Sequence, residues 1–360
     1  MPKICKDFSY NNKNLSDFGM IAVDFDQSTT LPLAMQRNYI QGEKTKYRHV
    51  VNHLGATDGD NLSFEIHITR DPCTTGSYLD YEVSREELRE ISRWLTSTNY
   101  PLWLSFEYDT PQVEDLRYCG VFDIEEESSG DILHGLRLIF KNDSSYAYTD
   151  DFTDLIRLRG NSSKMIDNDS DLLSDYNYPI MKLKTYHDEE IYLCNLSDCT
   201  IHDEGNFELG ADNVASFEKL IDEVSDYAST NNYEADFVHE GSYVRPIASH
   251  TALYVNFRSK WNKSIKCMAF YNDTTGSYKI IEGGFMSIQL PASYSVTIDC
   301  RCLRIYDDSG IMIPFKDIGI QTVDYIYWLR LVSGGNEIVG YGKATDIELT
   351  RYEFRKVGAV

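Results

Sequence analysis

Between residues 84 and 97 the segment SREELREISRWLTS sets Leu88, Ile91, Trp94 and Leu95 on one face at helical spacing. Ser84 followed by Glu87 is the pattern of a capping box, in which each side chain bonds the other residue's backbone N–H. The spacing predicts a helix over 84–97. Three strand-like runs follow it, YPLWLSFEYDTP, LRYCGVFDIEEESSG and DILHGLRLIFKNDSSYAY. Upstream, FGMIAVDFDQ and LPLAMQRNYI read as short extended pieces, and LSFEIHITR alternates as a half-buried strand does. Between them lies a polar stretch, 41–60, that holds Lys44, Lys46, Tyr47, Arg48, His49 and His53. Within it YRHVVNHLG reads equally as a strand arm or a mobile loop, and ATDGDN is a turn signal.

The second half is also strand-rich. Residues 149–175 are polar and acidic with short apolar patches, so 151–175 is expected to be a linker. Beyond it, YNYPIMKLKTYHDEEIYLCNLSD reads as two strands around an H-D-E-E turn. A helix is expected in ADNVASFEKLIDEVSDYAST, where Phe217, Leu220, Ile221, Val224 and Ala228 share a face behind an Asp or Asn cap. ALYVNFRSKW and IKCMAFYNDTTGSYKII follow as strands with a turn at 273–276. The remainder, from FMSIQLPASYSVTIDCRCLRIYDDSG to KATDIELTRYEFRKVG, is again strand-like. The pattern predicts a mainly β protein.

A chain of 360 residues suggests two or three domains. Its 26 Tyr and 16 Phe fit β structure and contact surfaces that are half wet. The formal charge of −23 repels phosphate backbones, so recognition of a nucleic-acid sequence is not expected. Eight cysteines form no C-x-x-C pair, and buried reduced thiols are expected, with Cys300 and Cys302 on one face of a strand. MPKICKDFSYNNKN has no apolar core of a signal peptide, and no run of 18 apolar residues predicts a membrane span. The expected folding compartment is a reducing cytoplasm.

Candidate chemistry is thin. His49 and His53 stand four apart in HVVNH, but the glutamate of H-E-x-x-H is missing and the two valines favour an extended arm. Acidic clusters at 123–127, 187–190 and 307–308 fall at strand ends and turns, where carboxylates are normally solvated. The run DNDSD at 167–171 lacks the glycine and distal glutamate of a calcium loop. No G-x-S-x-G, Walker A or strand-to-helix G-x-G-x-x-G occurs, so no catalytic residue, cofactor or metal is expected. A sugar site needs an exposed ring to cover the C–H face of a pyranose. Trp261 in RSKWNKS is the candidate ring, with Tyr271 and Tyr278 flanking a turn nearby.

The order of a helix ending in W-L, a strand, a D-x-P turn, a strand with a central C-G-V-F and a strand closing on L-x-F-x-x-D-S-x-Y-A-Y resembles the N-terminal domain of siphophage distal tail proteins. Weaker C-terminal similarities lie at residues 179–183, 191–195, 296–300, 328–338 and 352–355. The resemblance implies a sandwich-like N-terminal domain over 1–150 with one helix and a projecting β-hairpin arm at 41–60. It implies a second domain over 176–360, a galectin-like or jelly-roll sandwich. Some 60–80 residues, about 200–285, exceed that pattern. An inserted module or an elaborated sandwich would each account for them. By resemblance the chain would form a hexameric ring at the virion tail tip, after synthesis in the host cytoplasm. It would join the major tail tube protein to a hub, tail-associated or fibre protein. Tyr39, Tyr47, Arg48, His49 and His53 would then lie at the subunit interface, where tyrosine and arginine are common anchors. A carbohydrate-binding adhesin contacting a host cell-wall glycan is the alternative.

Overall fold

The alternation read in the first third of the chain becomes one antiparallel sheet with a helix on its apolar face. The computed structural model describes residues 5–23, 35–40, 52–58, 61–75, 82–108, 115–173, 175–237, 239–240, 243–244, 246–247, 250–259, 263–318 and 327–356. Strands of two residues are named below by those residues. Contacts divide the chain into two compact units, Met1–Asp150 with Glu353–Val360, and Asp151–Tyr352.

The first unit holds β1 (Cys5–Tyr10), β2 (Met20–Val23), β3 (Met35–Ile40), β4 (Asn52–Asp58), β5 (Ser63–Arg70), α1 (Arg85–Thr96), β6 (Leu102–Tyr108), β7 (Arg117–Ser129) and β8 (Ile132–Asn142). The main sheet runs β1-β6-β7-β8-β5-β2, and β3 and β4 form a separate two-stranded sheet. The capping box is formed: Ser84 N–H donates to Glu87 at 2.8 Å and Glu87 N–H donates to Ser84 Oγ at 3.2 Å. Burial works against the Glu87 carboxylate, but these bonds and the Arg70 charge hold it below its ordinary value. Ile91, Trp94 and Leu95 are buried against Phe8, Leu104, Tyr118, Phe122, Leu138 and Phe140 of the sheet. Trp94 stacks on Phe18 at 4.5 Å and on Phe8 at 5.7 Å, and its Nε1–H donates to the Tyr10 carbonyl at 2.7 Å. The final residues of the chain, read from sequence as part of the second domain, instead pair Phe354–Arg355 with Ala147–Tyr148 of this unit.

The glycine of the C-G-V-F run has a steric cause. A Cβ on Gly120 would lie 2.2 Å from the Lys141 carbonyl oxygen and 2.6 Å from Phe140 Cζ, both on the adjoining strand. Backbone cannot step aside within a paired ladder. Gly120→Ala is therefore expected to cost about 2–3 kcal/mol. Gly130→Ala, which meets nothing within 4 Å but sits at φ 66°, should cost about 1 kcal/mol. Urea denaturation of the two variants checks the order; equal losses would reject the packing argument.

The second unit holds β9 (Phe152–Asn168), β10 (Ile180–Thr185), β11 (Glu189–Asn195), β12 (Thr200–Asn206), α2 (Asn213–Thr230), β13 (Tyr233–Phe237), β14 (Ala252–Ser259), β15 (Ser264–Tyr271) and β16 (Ser277–Glu282). It continues with β17 (Phe285–Leu290), β18 (Ser295–Asp299), β19 (Arg304–Asp307) and β20 (Gly334–Arg351). β9 and β20 pair along nearly their whole lengths, from Phe152 opposite Arg351 to Asn168 opposite Gly334. On its other edge β20 pairs first with β11, over residues 338–341, and then with β10, over 345–350. One long strand thus serves two half-sheets, β17-β11 and β10-β18-β19, which curl over a common core that includes Leu158, Met181, Leu183, Ile191, Leu193 and Ile347.

The segment expected as a linker, 151–175, is mostly β9. Its buried residues Ile156, Leu158 and Ile166 are in phase, but the intervening inward positions are Gly160, Ser162 and Lys164, so the middle reads as polar. The strand expected through Cys300 and Cys302 also breaks, at Asp299. Asp299 Oδ1 accepts from the N–H groups of Arg301, at 2.9 Å, and Cys302, at 3.2 Å, and that side-chain turn leaves Cys300 buried and Cys302 exposed.

Residues 200–282 form a sheet ordered β12-β16-β15-β14-β13. On one face α2, capped by Asp212, buries Phe217, Leu220, Val224 and Ala228 against Val255, Phe257, Ala269 and Ile280. The helix and its apolar face match the sequence reading. The opposite face presents Tyr254, Met268, Phe270 and Ile281 to Tyr192, Cys194 and Tyr341. The extra residues are thus a module with a core of its own, joined to the sandwich by a second apolar layer.

Candidate assembly surfaces

In the first unit the residues that alternate with the core face carry charge. Arg137 on β8 reaches Glu65 on β5 through Nε at 2.8 Å and Glu125 on β7 through one terminal nitrogen, also at 2.8 Å. Lys141 pairs with Asp123, and His67 Nδ1 lies 2.7 Å from Glu127. The acidic run at 123–127 is thus solvated in part and paired in part. Exposed pairs of this kind contribute about 0–1 kcal/mol each, so this face sets surface charge more than stability.

The expected arm falls partly on described backbone. β3 and β4 are antiparallel, with Met35 opposite Asp58, Tyr39 opposite His53 and Ile40 opposite Asn52, and the register shifts between Arg37 and Tyr39. A hairpin therefore stands where an arm was expected, and its paired strands begin at residue 35 instead of 41. Tyr47, Arg48 and His49 lie outside the described residues, so only Tyr39 and His53 are placed, as cross-strand partners.

In the second unit two carboxylates read from sequence as solvated, or not singled out at all, are held by several donors, and one of them is buried. Glu189 of the H-D-E-E turn is only 5% exposed. It accepts from the N–H groups of Lys343 and Ala344, the latter at 3.3 Å, and from the Thr345 hydroxyl. These donors lie where β20 leaves β11 and joins β10, and Glu189 satisfies them. The sequence held a signal for this, since Glu189 is in phase with the buried Ile191 and Leu193. Asp198 accepts from Tyr327 Oη at 2.5 Å and Arg330 Nε at 2.7 Å, while the Arg330 guanidinium lies 3.8 Å from the Tyr176 ring centre. Burial and the bond to Asp198 push the Tyr327 phenol far above its ordinary value, so it stays a donor. At the third cluster Asp307 caps its own turn, accepting from Ser309 and Ile311 at 2.8 Å.

Tyr271 is fully buried and Tyr278 nearly so, each packed against Phe207, with ring centres 5.5 and 5.9 Å apart. Neither offers the open ring face that a pyranose needs, and burial pushes the Tyr271 phenol up to about 12. Trp261 lies outside the described residues. Among the described residues no group of three His, Cys, Asp or Glu side chains is placed to hold a metal ion, and no helix is long and apolar enough to cross a membrane. Of the cysteines Cys194, Cys267 and Cys300 are buried, whereas Cys73 and Cys302 are exposed and Cys119 and Cys199 intermediate.

Comparison with known proteins gives two findings. Residues 3–144 match a family model described as a phage tail protein N-terminal domain. Among solved structures, the chain is similar to the Dit (gp 19.1) protein of SPP1, described as a paradigm of hub adsorption apparatus in phages that infect Gram-positive bacteria. The TM-score is 0.49 at 11% identity, over 96% of this chain and 98% of that one. No curated protein matches. The family match spans α1, the C-G-V-F strand and the β3–β4 hairpin, so residues 3–144 are similar to a phage tail protein N-terminal domain.

Proposed function

We propose that the chain is a distal tail protein, a structural and non-catalytic subunit of a ring at the virion tail tip. In this reading six copies close a ring, the first unit joins the major tail tube protein, and the second faces the hub, tail-associated or fibre proteins. The observation that carries it is the pairing of β3 with β4 as a sheet of its own inside the residues that match the phage tail family. A hairpin outside the main sheet can lap onto a neighbour and add backbone hydrogen bonds there. Ring closure needs such a heterologous contact, one patch meeting a different patch on the next subunit. Tyr39, Tyr47, Arg48, His49 and His53 are its proposed contact residues.

The test is native mass. Six copies of a 41.4 kDa chain give a particle of about 250 kDa, expected by light scattering and, with a central hole, in negative stain. Deleting residues 41–60 should leave a folded monomer. A deletion variant that still forms the ring would reject the arm as the closing contact.

A further inference from the structure

We infer that the free edge of β9, over residues 152–159, is a docking site for an extended peptide segment in which apolar and acidic residues alternate. Among the described residues β9 pairs only with β20, so the N–H and C=O groups on its other edge have no strand beside them. Edge strands in soluble proteins are usually shortened, bulged, proline-broken or covered. Here the register with β20 runs unbroken from Phe152 to Leu158, and no proline interrupts it. The edge therefore keeps the geometry that strand addition requires.

The side chains state what the added strand must carry. Inward-facing Ile156 and Leu158 are 4% and 0% exposed, so residues of the partner on that side would extend an apolar layer. On the outward side stand Leu155, 39% exposed, then Arg157 and Arg159. Arg159 already pairs with Asp346 at 2.9 Å. Arg157 is exposed, and no described group pairs with its side chain. An unpaired arginine is notable in a chain with 57 acidic against 34 basic residues. Opposite charges directly across a strand pair are favourable and like charges are not. Two arginines two residues apart thus oppose pairing of this edge with its own copy and favour an acidic strand. The contact is independent of the ring reading, because it uses neither the hairpin nor the first unit.

The experiment uses the full chain and a labelled seven-residue probe alternating Val and Glu, with two controls. One control replaces Glu by Lys, and the other is N-methylated on one edge so that it cannot complete a ladder. Saturable binding of the Glu probe below about 1 mM, with slowed amide exchange confined to 152–159, is expected. Arg157→Gln, an exposed change that sets no second negative charge opposite Asp346, should weaken the Glu probe about tenfold and abolish its advantage over the Lys probe. The N-methylated probe should not bind. Equal binding of the Glu and Lys probes, no binding at about 1 mM, or protection in the free protein of those amides at 152–159 that face away from β20 would each overturn the proposal.

Discussion

Trp94→Ala should unfold the first unit at a temperature roughly 10 °C or more below that of the parent protein, from a loss of about 4–5 kcal/mol. The indole fills the space between α1 and the sheet, stacked on Phe18 and Phe8 and packed edge-on to Tyr10 at 6.5 Å. Its removal takes the transfer energy of the ring and leaves a cavity that three other aromatic residues line. It also takes the Nε1–H that donates to the Tyr10 carbonyl at 2.7 Å. A domain typically holds about 5–15 kcal/mol in all, so the loss approaches the whole margin. Trp94→Phe separates the two contributions: it keeps ring contact and loses the N–H, and should cost about 1–3 kcal/mol. Calorimetry reads the loss, and amide exchange in peptides from β1 and β6 assigns it to this unit. An alanine variant with an unchanged transition would mean that α1 does not hold the sheet.

Glu189→Ala carries the second large effect, about 3 kcal/mol, because it strands a buried hydroxyl and two backbone donors at once. Thr345 is fully buried, and the carboxylate is the acceptor for its hydroxyl and for the Lys343 and Ala344 N–H groups. Bonds to an ionised acceptor are the strong kind, so Glu189→Gln, which retains one acceptor oxygen, should lose about half as much. For a unit of this size the alanine change corresponds to roughly 6–12 °C in transition temperature. Fast amide exchange at 343–345 should accompany it. If alanine and glutamine behave alike, the charge of Glu189 is immaterial and the bend of β20 is held by packing alone.

Legibility in the sequence followed the strength of local periodicity. α1 and α2 were readable from their caps and apolar faces, since a helix long enough to show its period repeats the signal three or four times. The strands from β5 to β8 were readable because one side of each is buried and the other charged. β9 was not, because three inward positions in its middle hold Gly160, Ser162 and Lys164, and a strand's two-residue period does not survive such a gap. Glu189 was misread for the opposite reason: its chemistry suggested solvent, while its phase with Ile191 and Leu193 placed it inside. The proposed interface residues at 47–49 belong to a polar run whose sequence carries no two-residue or helical period to read.

The module at 200–282 leaves and re-enters the sandwich at neighbouring points. Cys194 on β11 is opposite Phe285 on β17, and the Asn195 N–H donates to the Gly284 carbonyl at 2.8 Å. Topologically the whole module stands in place of a hairpin turn. Such a junction is an exchange point: a tight turn or an unrelated domain could occupy it without altering the ladder on either side. The constraint on any replacement is chemical, since Tyr192, Cys194 and Tyr341 would be uncovered and would need either a new apolar cover or polar substitutes. Evolution of this chain can therefore vary what it displays at one end of a hairpin while the scaffold beneath stays fixed.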